Sequence, residues 1–241
     1  MREIERLFRP GVQDLKPYAS ARDEFAGTAL VYLDANENSY GSILGAGHSR
    51  YPDPHQGKLK QRLSEVKGIP SESIFVGNGS DEAIDLLIRA FCRVGQDSII
   101  VLPPTYGMYA VSAAINEVGV KSVLLDENFD LEVDLLLNMV DESSKLVFIC
   151  SPNNPTGNCM NRSRVEELLE RFPGMVVIDE AYVDFAESGS WVDALNRFRN
   201  LVVLQTFSKA WGLAGLRIGM AYADRVVVQV LDRIKPPYNL N

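Results

Sequence analysis

Short apolar runs recur along this chain at Ile74–Gly77, Ser98–Leu102, Lys121–Leu125, Leu146–Cys150, Met175–Asp179, Leu201–Gln205 and Ile218–Tyr222. Each is rich in Val, Ile, Leu or Phe and lacks the polar alternation of a half-exposed strand. Each therefore predicts a strand covered on both faces. Amphipathic stretches separate many of them: Ser80–Arg93, Met108–Val118, Leu131–Val140 and Arg162–Phe172. Strands alternating with helices, and buried on both sides, predict a three-layer α/β/α domain on a mostly parallel sheet of about seven strands. Residues 1–50 show little periodicity and many turn formers, so they read as an irregular arm and the start of a small domain. Residues 51–241 read as the large domain, closed by a helix over Ala223–Ile234.

Composition narrows the function classes. The chain has 241 residues, 46% of them hydrophobic, enough for a substantial core. A net charge of −8 argues against nucleic acid as a partner, and any anionic ligand must be held by local donors. No segment approaches the ~20 apolar residues of a membrane span, and the start, MREIERLFRPG, is charged where a signal peptide is apolar. Cys92, Cys150 and Cys159 form no C-x-x-C pair, which fits reduced thiols in the cytoplasm. His48 and His55 are the only histidines and lack a metal-ligand pattern. With no G-x-S-x-G elbow either, a hydrolase has no support.

Chemistry concentrates just beyond the predicted strand ends, where open α/β sheets bind ligands. Lys209 lies in Thr206-Phe-Ser-Lys209-Ala-Trp-Gly-Leu-Ala-Gly-Leu-Arg217-Ile-Gly219, directly after a strand. An amine that bonds to a carbonyl must lose its proton, so low exposure and a nearby cation such as Arg217 would suit it. Gly79-Ser80-Asp81 opens a predicted helix, whose free N–H groups and dipole favour an anion. Asp81 and Glu82 are themselves anions there, so they are expected to point away or cap. The same turn fits a loose G-x-G-x-x-x-A dinucleotide pattern, with Glu82 in the place of the third glycine. A nicotinamide-dependent dehydrogenase would leave the Lys209 segment without a role. A non-catalytic regulator would need a DNA-binding module, and nothing before Tyr18 is long enough to be one.

Four stretches, in order, resemble the aspartate-aminotransferase-like, fold-type I pyridoxal-phosphate enzymes. They are Phe75-Val-Gly-Asn-Gly79-Ser80-Asp81-Glu82, Ser151-Pro-Asn-Asn154-Pro-Thr-Gly157, Val177-Ile-Asp179-Glu-Ala-Tyr182, and the Lys209 segment with its GLAGLRIG tail. The resemblance covers essentially the whole chain. It implies pyridoxal 5′-phosphate as cofactor, held as a Schiff base by Lys209, which is also the catalytic acid/base. It implies Asp179 at the pyridine nitrogen, keeping the ring protonated so that it accepts carbanion electrons. Asn154 and Tyr182 would donate to the phenolic oxygen, and Tyr106 would stack on the ring. Gly79, Ser80, Asp81, Ser208 and Arg217 would form the phosphate cup.

Within that family, three N-terminal stretches are most similar to the histidinol-phosphate aminotransferases: Leu15-Lys-Pro-Tyr18, Leu33-Asp-Ala-Asn36-Glu-Asn-Ser39-Tyr-Gly41 and Arg50-Tyr51-Pro-Asp-Pro54. Ser39 stands where proline is usual. The resemblance implies that Tyr18 and Asn36 bind substrate, and that Tyr51 reaches the cofactor phosphate of a partner subunit in a homodimer. It also implies ping-pong exchange between a small amino donor and a keto acceptor. Phosphothreonine decarboxylases share most of these motifs and stand as the alternative. Pro236-Pro-Tyr-Asn239 resembles the stretch where the family's chain meets substrate before building its C-terminal small domain. That domain, with its substrate-binding arginines, is expected beyond Asn241. Taken alone, the 241 residues are expected to bind the cofactor weakly and turn over little.

Overall fold

Three apolar residues spaced four apart begin the structure, a computed structural model that describes residues 4–16, 30–31, 34–45 and 48–241. Ile4, Phe8 and Val12 are buried, on a 3-10 turn (Ile4–Leu7) and the short helix α1 (Pro10–Gln13). The Phe8 ring stacks on Phe91 at 4.7 Å, and the Arg9 N–H donates to the Ala90 carbonyl at 2.9 Å. Residues 4–13 are thus not the irregular arm expected from sequence. Three anchors over so few residues are too short a signal to register as a period.

The chain continues through α2 (Gly57–Lys67), β1 (Ile74–Asn78), α3 (Ser80–Phe91), β2 (Ser98–Val101), α4 (Met108–Ile115) and β3 (Gly119–Ser122). It then forms α5 (Val133–Asn138), β4 (Ser144–Cys150), α6 (Arg162–Arg171), β5 (Met175–Asp179), β6 (Leu201–Thr206), β7 (Ile218–Ala223) and α7 (Arg225–Ile234). Among the described residues the strands make one seven-stranded sheet in the order β1-β7-β6-β5-β4-β2-β3. The pairs among β2 to β6 are parallel, while β7 runs antiparallel to both β1 and β6. The expected mostly parallel sheet is present.

Successive side chains on a strand point to opposite faces, and here both faces are apolar. Phe75, Phe148, Val177 and Leu204 join Ile84, Leu87, Tyr109 and Leu231 of α3, α4 and α7 in one core. Val76, Ile149, Ile178 and Val203 join Leu63, Leu136, Val165 and Leu168 of α2, α5 and α6 in the other. This double burial explains the continuous apolar runs. Two elements depart from expectation. The edge strand β3 covers residues 119–122 rather than 121–125, because it is set by its pairing with Ser98–Val101. It is largely exposed, so its apolar content does not mark it. α2 buries only Leu63 completely and carries too little apolar periodicity to stand out. No helix among the described residues is long and apolar enough to cross a membrane.

Candidate active site

The parallel strands all end at one edge of the sheet, and the motifs follow those ends: Gly79 after β1, Tyr106 after β2, Asn154 after β4, Asp179 closing β5, and Lys209 after β6. Because β7 is antiparallel, its beginning lies at that same edge, and this brings Arg217 to the others. A cavity of about 210 Å³ opens there. It is lined by Gly79, Ser80, Asp81, Tyr106, Asn154 and Asp179, and by Tyr182, Ser208, Lys209 and Arg217. Cys150, Ala181 and Thr206, which sequence reasoning did not single out, complete the wall. Asn36, at φ 53°, and Tyr51 are not part of the lining. Tyr51 is 51% exposed and stacks on Tyr238 at 4.4 Å. Tyr18 lies outside the described residues.

Two adjacent acids at the end of β5 point to opposite sides, as strand alternation requires. Asp179 is buried and faces the cavity. Its carboxylate accepts from the Tyr109 hydroxyl at 2.8 Å and the Ala181 N–H at 3.0 Å. Burial pushes its pKa up, and those two donors, with Lys209, oppose the shift. An acid so desolvated is stabilised in its charged form by a cation placed beside it. Glu180 turns the other way and accepts from Ser190 Oγ and the Trp191 N–H at 2.6 Å each and from Gln205 Nε2 at 2.8 Å. It pins the loop behind the site.

Tyr109 is the site residue that motif reading missed. It is fully buried, stacked on Phe148 at 4.9 Å and edge-on to Tyr106 at 5.6 Å. Its signal is its place three residues beyond Tyr106 on the first turn of α4, where an amphipathic helix accounts for a buried tyrosine without any role at the site.

Asn153 and Asn154 divide their work. Asn153 is buried and donates to the Pro104 carbonyl at 2.9 Å and to Thr156 Oγ1 at 2.7 Å, fixing the turn. Asn154 is left to face the cavity. Opposite, the N-cap of α3 is Gly79, which has no side chain to satisfy the first-turn N–H groups, so these are available to an anion. A Cβ at Gly79 would lie 2.6 Å from Arg217 Nη2, and one at Gly219 would collide with the Ser80 N–H. Only glycine at both positions lets β7 and the guanidinium close on the turn. Ser208 adds its hydroxyl, held by an N–H donated to Thr206 Oγ1 at 3.1 Å.

Two expectations need correction. Glu82 does turn back, but Asp81 does not point away: it lines the cavity. Asp81 accepts from the Tyr106 hydroxyl at 3.1 Å and lies 3.9 Å from Arg217 Nη2. Burial, with the neighbouring Asp81 carboxylate, raises the Tyr106 pKa to about 12. Nor is Lys209 shielded. It is exposed, with its Nζ 5.5 Å from the Tyr182 ring centroid, and the run from Ala210 to Arg217 beside it is exposed as well. Among the described residues, nothing else folds over that strand end.

A lysine, a buried acid and a cup of backbone N–H groups with an arginine, gathered at the strand ends of a doubly covered sheet, define a site for a cofactor that is both carbonyl and phosphate. The glycine-permitted cradle and the desolvated Asp179 fit pyridoxal phosphate. Residues 32–241 match the family described as aminotransferase class I and II. The chain belongs to that pyridoxal-phosphate-dependent family. It is similar to the histidinol-phosphate aminotransferase of Cytophaga hutchinsonii, at 55% identity over 99% of this chain and 68% of that relative. It is also similar to a solved structure of the Sinorhizobium meliloti histidinol-phosphate aminotransferase in complex with pyridoxal-5′-phosphate. The TM-score is 0.74 at 25% identity, covering 86% of this chain and 59% of that one. The L-threonine-O-3-phosphate decarboxylase of Porphyromonas gingivalis has a TM-score of 0.69 at 26% identity, covering 80% of this chain and 59% of that one.

Proposed function

We propose that this chain exchanges an amino group between histidinol phosphate and 2-oxoglutarate, giving imidazole-acetol phosphate and glutamate. The observation that carries the reading is the 55% identity with a histidinol-phosphate aminotransferase across 99% of the chain. The N-terminal stretches around Tyr18, Asn36 and Tyr51 support it.

When bound, pyridoxal phosphate supplies an electron sink conjugated to the substrate's α-carbon. Lys209 would hold it covalently and would carry the substrate's α-proton. Asp179 would hold the pyridine nitrogen in its protonated state, and Tyr109 and the Ala181 N–H orient that carboxylate. Asn154, Tyr182 and Tyr106, which line the cavity, would hold and orient the ring. Ser80, Ser208, Arg217 and the Gly79 turn hold the phosphate. Asn36, with Tyr18, contacts the substrate.

A cytoplasmic homodimer belongs to the same reading. Trp211, Leu213 and Leu216 are 52%, 38% and 60% exposed beside Lys209. A second copy covering this rim would shield the lysine and bring its own Tyr51 to the phosphate.

Removing the Tyr109 hydroxyl is a selective probe of Asp179. A hydrogen bond to a charged group contributes about 1.5–3 kcal/mol. Tyr109→Phe is therefore expected to lower kcat roughly ten- to hundredfold while the near-UV circular dichroism stays native. An unchanged kcat would mean that this bond does not tune the site.

The decarboxylase structure supports a second reading, and one experiment separates the two. Histidinol phosphate, aspartate, phenylalanine and phosphothreonine are each presented to cofactor-loaded protein, and loss of the Schiff-base absorbance and release of carbon dioxide are followed. Histidinol phosphate is expected to discharge the absorbance fastest with no carbon dioxide. Carbon dioxide from phosphothreonine would replace this assignment with the decarboxylase.

A further inference from the structure

The sequence places a second carboxylate, Glu82, on the first turn of α3, beside the N–H groups read above as a phosphate cup. Left free, it would repel the anion that the turn is built to hold. In the structure it is turned back. Glu82 Oε2 accepts from the Asn78 N–H at 2.5 Å and from Asn239 Nδ2 at 2.9 Å. Unlike its neighbour Asp81, it is not part of the cavity wall.

Asn239 comes from the far end of the chain and is itself held in place. Its Nδ2 also donates to the Val76 carbonyl at 3.1 Å, and its Oδ1 accepts from Gln56 Nε2 at 3.1 Å. Gln56 is buried. One turn away, Lys235 Nζ donates to the carbonyls of Pro54 at 2.9 Å and Pro237 at 3.0 Å. The segment 235–239 is thus laced to residues 54–56 on one side and to the turn between β1 and α3 on the other.

We infer that Asn239 is a positioning residue for the phosphate cup: it holds the Glu82 carboxylate away from the anion and fixes the Asn78–Gly79 turn. The inference rests on reading that turn as the phosphate site. Two effects combine. Glu82 is held in place by two charge-assisted hydrogen bonds, and the Asn78 N–H it accepts from sets the direction of the first-turn N–H groups. Without Asn239, the carboxylate keeps one donor and is free to swing toward the α3 N-terminus. There the helix dipole attracts it as it attracts phosphate.

The test compares pyridoxal phosphate with pyridoxal, which lacks the phosphate, by titration of the Schiff-base absorbance. Asn239→Ala is expected to weaken pyridoxal phosphate roughly ten- to hundredfold, the scale of one lost charge-assisted contact, and to leave pyridoxal within about twofold. Asn239→Asp, which sets a second carboxylate against Glu82, should weaken pyridoxal phosphate at least as much. Adding Glu82→Gln to Asn239→Ala should restore most of the loss, because the amide oxygen still accepts from Asn78 without the charge. Equal weakening of both ligands, unchanged binding of pyridoxal phosphate, or no rescue by Glu82→Gln would overturn the inference. If the unaltered protein bound pyridoxal as tightly as pyridoxal phosphate, the phosphate-cup reading itself would fall.

Discussion

Lys209→Ala, in a protein carrying this chain, is expected to lower transamination by more than about 10⁴-fold with the fold intact. On the proposed reading the substitution removes the covalent anchor and the proton carrier together, and among the described residues no other lysine lines the cavity. The fold should tolerate it. Lys209 is exposed, and truncation leaves no cavity in either core. Steady-state turnover beside circular dichroism checks both halves of the expectation. Turnover within about tenfold of the parent would move the catalytic amine elsewhere.

Asp179→Asn is the second large effect. The carboxylate is buried and lines the cavity, and on the proposed reading a protonated pyridine nitrogen would be its counter-charge. An amide of the same shape carries no charge and keeps one acceptor oxygen, whereas Tyr109 and the Ala181 N–H donate to different oxygens of the carboxylate. Removing one member of a buried charge pair costs about 3–5 kcal/mol, a loss of roughly 10²–10⁴ in kcat. Cofactor retention measured by absorbance, alongside kcat, distinguishes this from simple loss of binding. Near-normal turnover in a variant that retains cofactor would reduce Asp179 to a cap at the end of β5.

How much of this was legible in the sequence follows from where each signal resides. Strands buried on both faces write themselves as apolar runs, so β4, β5 and β6 were visible within a residue or two. The edge strand β3 lies two to three residues before the apolar run that predicts it, and the half-solvated α2 carries no such mark. Their positions depend on what they pair with and pack against. The Ile4, Phe8 and Val12 anchors were present in the sequence, but too few to be read as a helix.

The site shows the same division. The ten cavity residues expected from the motifs sit at strand ends, where the connection between residue and place is local, and all line the wall. Tyr109, Glu180 and Asn239 act through partners distant in sequence: Tyr109 reaches Asp179, Glu180 reaches Trp191, and Asn239 reaches Glu82. A hydrogen bond of that kind leaves no spacing to read. The exposure of Lys209 was misjudged for a related reason, since a motif specifies the residue but not what covers it. Asn36 and Tyr51 stand apart from the cavity of their own chain.

The central claim is that Lys209 bonds to pyridoxal phosphate, and borohydride tests it most directly. The protein is incubated with pyridoxal phosphate, reduced, digested and mapped by mass spectrometry. A single phosphopyridoxyl label on the peptide containing Thr206-Phe-Ser-Lys209 is the predicted result. A label carried mainly by another lysine, or by none, would contradict it.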